Sequence, residues 1–205
     1  MAPGTQKHNL PTRESREEAL ADPEVAHFAA IPWCAAHVAA TPNAIFEKCM
    51  TRVAKPDFEE ALMAETLNRP DAIKAYAVFY SEPANPQDLI TEVGAFLTLG
   101  PMLNGWRGVC HGGIVMTIMD ECLGQLAAIN RVRGVGPQAE QMTAYLNTKF
   151  LSPVRTSAEG TTVMVRARTT KLEGRKQFVE GHMEDKNGTV LCRSEGLFIQ
   201  LLSKI

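Results

Sequence analysis

The chain has 205 residues, 45% of them hydrophobic, enough for one well-filled core and too few for two ordinary enzyme domains. A formal net charge of -2 and a pI near 6.2 give no general pull towards nucleic acid or an anionic membrane, so neither is expected as a partner. Five cysteines (Cys34, Cys49, Cys110, Cys122, Cys192) are odd in number, with no Cys-x-x-Cys pair and no histidine at zinc spacing, which fits free thiols in a reducing compartment.

Met1 to Asp22 is polar and carries Glu14, Glu17 and Glu18, which fits neither a signal peptide nor an acid-poor transit peptide. No run approaches the roughly 20 apolar residues that span a bilayer, and a cytoplasmic protein is expected. From Thr12 to about Pro70 the chain is Ala-rich and helical in period, broken by Pro23, Pro32, Pro42 and Pro56. Asp22-Pro23 reads as an N-cap and first-turn pair. Residues 1–70 are therefore expected to form a helical extension, and 71–205 the main domain.

Strand character begins near Ile73. Ala75–Ser81, Leu89–Leu99, Met142–Leu151, Thr161–Thr170, Lys176–Glu184 and Thr189–Leu201 are rich in Val, Thr, Phe and Leu. Asn187-Gly188 marks a two-residue hairpin turn. One long helix, about Gly113 to Asn130, interrupts them, with Ile114, Val115, Ile118, Met119, Cys122, Leu123, Leu126 and Ile129 on a wide apolar arc. Its other side holds Thr117, Asp120, Gly124, Ala127 and Ala128, thin enough for another backbone to approach. A sheet wrapped round the helix, with the thin face towards a second subunit, is expected. Gly134-Val-Gly-Pro resembles a degenerate dinucleotide loop, but it follows a helix and reads as a plain connection.

The most informative segment is His111-Gly-Gly-Ile-Val-Met-Thr-Ile-Met-Asp120. Paired glycines at a helix start offer backbone N–H groups to an anion, and a carboxylate among Ile, Val and Met is costly unless something uses it. An oxyanion site with a nearby base follows. Glu121 lies about 100° further round the helix and reads as a solvated or interface acid. Cys110 adjoins His111, but neighbours on a strand face opposite ways, so a structural thiol is the better reading.

The turn and helix, the strand Thr143-Ala-Tyr-Leu-Asn147, Glu173-Gly-Arg-Lys176 and Ser194-Glu-Gly-Leu-Phe-Ile199 follow in an order that resembles the hotdog-fold acyl thioesterases of the phenylacetyl-CoA-thioesterase type. Within that superfamily the likeness is to mammalian mitochondrial acyl-CoA thioesterases and to fungal hotdog proteins of polyketide metabolism. The resemblance covers about Leu89 to Leu202. It implies an α+β hotdog fold, an antiparallel sheet wrapped around a long central helix, working as a homodimer or a dimer of dimers with the thioester lying across the subunit interface. Asp120 is then the general base or the nucleophile, and N–H groups of Gly112 or Gly113 stabilise the oxyanion. His111 orients the turn or donates to the carbonyl, and Thr143 matches the position that helps hold the attacking water. Arg175 and Lys176, helped by Lys171 and Arg155, match a segment beside the entrance for the phosphates of coenzyme A or a carrier pantetheine. Many relatives carry an Asn or Gln shortly before the turn; here Asn104, followed by Gly105, stands seven residues before His111, a spacing that leaves its register to the turn open.

The expected substrate is an acyl-CoA or a carrier-bound acyl or polyketide chain, with no metal or redox cofactor. Phe79, Phe96, Met102 and the extension are expected to shape the acyl tunnel. Two other readings stay open. Hotdog folds also host dehydratases and hydratases of acyl thioesters, which pair a catalytic His with a helix acid, and a non-catalytic acyl-binding module could use the extension as a partner surface. Serine-hydrolase chemistry has no Gly-x-Ser-x-Gly elbow to support it, and His8, His27, His37, His111 and His182 are scattered, without metal-ligand spacing.

Overall fold

A computed structural model describes residues 21–202. His8, and the part of the expected extension before Ala21, lie outside the described residues. Asp22 caps the first helix as its position predicts: its Oδ1 accepts from the N–H of Glu24 (2.8 Å) and of Val25 (3.4 Å), and Pro23 opens the turn. That helix, α1, spans Pro23–Ala29, and α2 spans Pro32–Ala39.

The helical expectation then fails over Ala44–Lys48, which form strand β1. Asn43 takes a left-handed turn (φ 46°) just after Pro42, and Ile45 and Phe46 then pair in extended form with β2 (Ile73–Ser81), in register from Ala44↔Ser81 to Lys48↔Ala77. Helical period returns only as short pieces, a 3-10 turn at Met50–Arg52 and a π-helical turn at Leu62–Thr66.

The remaining elements are β3 (Glu92–Leu99), a 3-10 turn (Pro101–Leu103), β4 (Asn104–Trp106), β5 (Val109–Cys110), α3 (Gly112–Val132), β6 (Gln141–Phe150), β7 (Thr161–Glu173), β8 (Lys176–Glu184) and β9 (Val190–Gln200). One antiparallel sheet of seven strands runs β1-β2-β3-β7-β8-β9-β6. The α+β hotdog expectation therefore holds, with β6 at one edge.

Side chains alternate across these strands, and the two faces serve two cores. Tyr76, Val78, Ala95, Leu97, Val163 and Val165 face α3, where they meet Val115, Ile118, Met119, Cys122, Leu123, Leu126 and Ile129. The helix is long and apolar enough by composition to cross a membrane, but this burial marks it as the core helix. On the opposite face Ala75, Ala77, Phe79, Phe96 and Met164 are covered by Val25, Phe28 and Cys34 of α1 and α2, with Trp33 alongside. Phe79 and Phe96 stack at 4.8 Å, completely buried beneath these helices, so they belong to this outer core and do not line a tunnel beside α3. Met102 is exposed.

The extension is fastened through Arg52. Its guanidinium donates to Glu24, to the carbonyls of Met63 (3.3 Å) and Ile73 (3.0 Å), and to Asn68, while Glu24 also accepts from the Tyr76 N–H at 2.7 Å. The β8–β9 hairpin is wider than Asn187-Gly188 suggested. Asp185 N–H donates to Thr189 O, and only Gly188 has positive φ (76°), which gives a three-residue loop of the type-I-plus-bulge kind. The reason is Asp185, whose Oδ1 accepts from the N–H groups of Asn187 (2.8 Å) and Thr189 (3.0 Å) and so organises the turn one residue earlier.

Candidate active site

Cys110 leads into the glycine turn from β5, anchored by its N–H to Val154 O at 2.9 Å. His111 is the N-cap of α3, and its Nδ1 accepts from the Gly113 N–H at 3.0 Å. A neutral imidazole that accepts at Nδ1 carries its proton on Nε2. The histidine therefore holds the turn, and the Gly113 N–H is taken up by it. No hydrogen bond engages the Gly112 N–H among the described residues, so of the two glycines expected to supply an oxyanion donor, Gly112 has the open one. Its N–H stands at the positive end of a 21-residue helix. A Cβ added at Gly112 would meet only the Phe150 ring, at 3.6 Å, which puts that aromatic edge beside the donor.

Asp120 sits two turns further along α3, half-buried, on the thin face with Thr117, Gly124, Ala127 and Ala128. Thr143 of β6 reaches across and donates its hydroxyl to Asp120 Oδ1 at 2.9 Å. Two residues that are 23 apart in sequence thus meet, because a bulge between Thr143 and Tyr145 re-aims the strand at this point. Thr143 is exposed, so the pair opens to solvent and can be reached by water.

Glu121 departs from the expectation of a solvated acid. It is half-buried, accepts from Gln125 Nε2 at 2.9 Å, and burial pushes its carboxyl above the usual range, with Glu60 and Asp120 nearby adding to the shift. Cys110 is buried and its thiol is pushed up to about 11 by that burial, which suits a packing role. All five cysteines are free and buried.

Asn104, whose register to the turn was in doubt, lies beside it. It pairs with Cys110 in the small β4–β5 ladder, and the Thr156 hydroxyl donates to its Oδ1, leaving its amide N–H groups for another acceptor. Gly105 explains the close approach: a Cβ there would lie 2.8 Å from His111 Cδ2 and 2.9 Å from its Cα. The Asn-Gly dipeptide was the sequence signal for this.

The cations separate. Arg175, in the β7–β8 turn with Gly174 at φ 56°, donates to Gln200 O at 2.9 Å, and Lys176 begins β8 beside it. Gln200 pairs with Gln141, so this turn is level with the start of β6, two positions before Thr143. Lys171 is bound to Glu173 at 2.8 Å. Arg155 bridges to Val109, next to the strand that enters the glycine turn.

Residues 107–192 match the family model of the thioesterase superfamily. The acyl-coenzyme A thioesterase THEM4 of Bos taurus is 33% identical over 103 residues, covering 50% of this chain and 38% of that protein. THEM4 of Xenopus laevis is 26% identical over 144 residues, 70% of this chain and 58% of that one. The BH2602 protein from Bacillus halodurans, solved with CoA, is 27% identical and superposes over 55% of this chain and 68% of its own, with a TM-score of 0.44. The chain thus spans 38% to 58% of the length of these two curated relatives. The likeness to the thioesterase superfamily thus lies in residues 107–192, the stretch that carries the glycine turn, α3 and strands β6 to β8.

Proposed function

We propose that this chain hydrolyses an acyl thioester to a free acid and a thiol. The observation that carries the reading is the Thr143–Asp120 contact at 2.9 Å, which places an oriented carboxylate and a hydroxyl together where water can reach them. Asp120 takes a proton from that water, the hydroxide oxygen adds to the thioester carbon, and the C–S bond breaks as the tetrahedral oxyanion collapses. The second route has Asp120 itself attack, giving a mixed anhydride that water then opens. In either route the Gly112 N–H and the helix dipole meet the charge that develops on oxygen.

Both halves of this chemistry do not reach one carbonyl within a single chain. Asp120 lies eight residues beyond Gly112, about 12 Å along the helix at 1.5 Å per residue. A two-fold partner solves the distance by presenting its own glycine turn to Asp120. The edge strand β6 supports such a partner: Met142, Tyr145 and Phe150 are 46%, 42% and 53% exposed along an unpaired ladder, a combination that invites pairing. The working unit is then a homodimer.

Acyl-CoA is the substrate class favoured by the bovine relative's name, with a carrier-borne acyl chain as the other source of the same thioester. Arg175 and Lys176, roughly 7 Å along the strand direction and two strands, roughly 10 Å, across the sheet from Thr143, are the cations proposed for its phosphates. The test is thiol release from a panel of acyl-CoA and acyl-carrier substrates by the wild type and by Asp120→Asn. Release that collapses in the variant supports the reading; no release from any thioester, or release that ignores the substitution, overturns it.

A further inference from the structure

A line of basic side chains crosses the outer face of the sheet, away from Asp120. Lys149 on β6 is directly opposite Arg193 on β9, Arg193 opposite His182 on β8, and His182 opposite Arg166 on β7. At about 4.8 Å per strand the row runs roughly 14 Å. Lys149 and Arg193 are like charges directly opposite one another on neighbouring strands, a destabilising arrangement that an anion would offset.

Of the acids nearby, two are engaged outside the row and one offsets only its His182 position. Glu180 holds Arg168, Glu195 accepts from Asn147 Nδ2 at 3.3 Å, and Glu184 faces His182 at 3.3 Å. Arg166 is held in place. Its Nη2 donates to His37 Nδ1 at 3.0 Å, and its guanidinium carbon lies 5.7 Å from the Phe79 ring centroid. That ring in turn lies over Gly94, where a Cβ would come within 2.2 Å of it. Helix α2 of the extension thus completes the row with His37, and the row lines, together with Glu92, Glu180 and Glu195, an open depression of about 1350 Å³ bounded by the turn at Thr41 and Pro42.

We propose that this row is a binding track for a linear oligophosphate, free or carried by a nucleotide. A narrow chain laid across the strands meets Lys149, Arg193 and Arg166 while avoiding the flanking row of Glu180 and Glu195, which repels a broad polyanion. The track is on the opposite face from the Thr143–Asp120 pair, and roughly 20 Å further along β6, so it is separate from the candidate active site.

Calorimetric titration of the full chain with inorganic tripolyphosphate and with ATP, against sulfate at matched ionic strength, tests this. Both oligophosphates bind more tightly than sulfate, and the Lys149→Ala/Arg193→Ala double variant weakens them by about tenfold or more, as loss of charge-assisted contacts requires. Arg168→Ala, in the neighbouring row, leaves binding unchanged. Binding of ATP alone shows that the base and not the phosphate chain is recognised, and overturns the proposal. So does affinity equal to sulfate's, or affinity that survives the double substitution with the melting temperature intact. Thioester hydrolysis is not part of the readout, so failure here leaves the proposed activity standing.

Discussion

Replacing Gly112 by proline removes one atom group of interest, the backbone N–H, from a position where the backbone already suits proline. Gly112 is the first helical residue, where proline is favoured because its fixed φ fits and its missing N–H has no partner inside the helix. The preceding residue, His111, sits at φ -61°, ψ 134°, in the extended region that a following proline demands. The expected change in folding stability is therefore small, within about 1 kcal/mol. The expected change in catalysis is large: an oxyanion donor contributes about 3 kcal/mol, so kcat falls on the order of a hundredfold. Gly112→Ala is the control for bulk, since its Cβ would lie at an ordinary 3.6 Å from the Phe150 ring and its N–H is retained. The quantity to measure is the ratio of kcat between the two variants in a continuous thiol-release assay, with melting temperatures alongside. Equal turnover by the two folded variants would refute the assignment of Gly112 as the donor.

Other perturbations follow from the same geometry. Thr143→Val keeps the shape and deletes the 2.9 Å bond to Asp120; kcat should drop by about tenfold with little change in melting, and an unchanged kcat removes Thr143 from the mechanism. Arg52→Met strands Glu24 without its cation inside the Arg52 network, at a cost of about 3–5 kcal/mol, read as a fall in urea midpoint; a midpoint equal to wild type contradicts the latch. Glu121 holds its proton more tightly folded than unfolded, so its linked stabilisation is complete below the ordinary carboxylate range and is lost as pH rises through the raised value. Glu121→Gln should thus melt above wild type at neutral pH, with the gap closing towards about pH 4; a gap that widens on acidification would have the sign wrong. Tyr145→Asp with Phe150→Asp should give monomers by sedimentation and abolish thiol release, and an active monomer would refute a shared site.

What could be read from the sequence was whatever has a short period or a local cap. The Asp22 cap, the wide apolar arc of α3 and the strand Lys176–Glu184 lie where alternation and capping residues placed them. The meeting of Asp120 with Thr143 had a signal only through the family likeness, because it depends on a bulge that no residue type announces. Strand β1 was hidden by the Ala-rich surroundings that set the helical period, and its pairing with β2 is a tertiary choice. The sequence leaves His111 either orienting the turn or donating to the substrate carbonyl; in the fold its Nδ1 accepts from the Gly113 N–H, two residues away, which is the orienting role.

The misplacement of Phe79 and Phe96 shows why a pattern of alternation is ambiguous when both faces of a sheet are buried. On β2, Tyr76, Val78 and Tyr80 belong to the core beneath α3, while Ala75, Ala77 and Phe79 belong to the core beneath α1 and α2, so the strand is buried without a break from Ala75 to Tyr80. Nothing in such a run says which parity faces the central helix, and a shift by one residue exchanges the two sets. Partners decide it. Phe79 must face outward because its ring needs the space over Gly94 on the neighbouring strand, and Gly94 pairs with Phe79 on β2 and with Arg166 on β7. The outer core and the basic row are thus set by one glycine in the middle of a strand, where a glycine would otherwise only weaken the sheet.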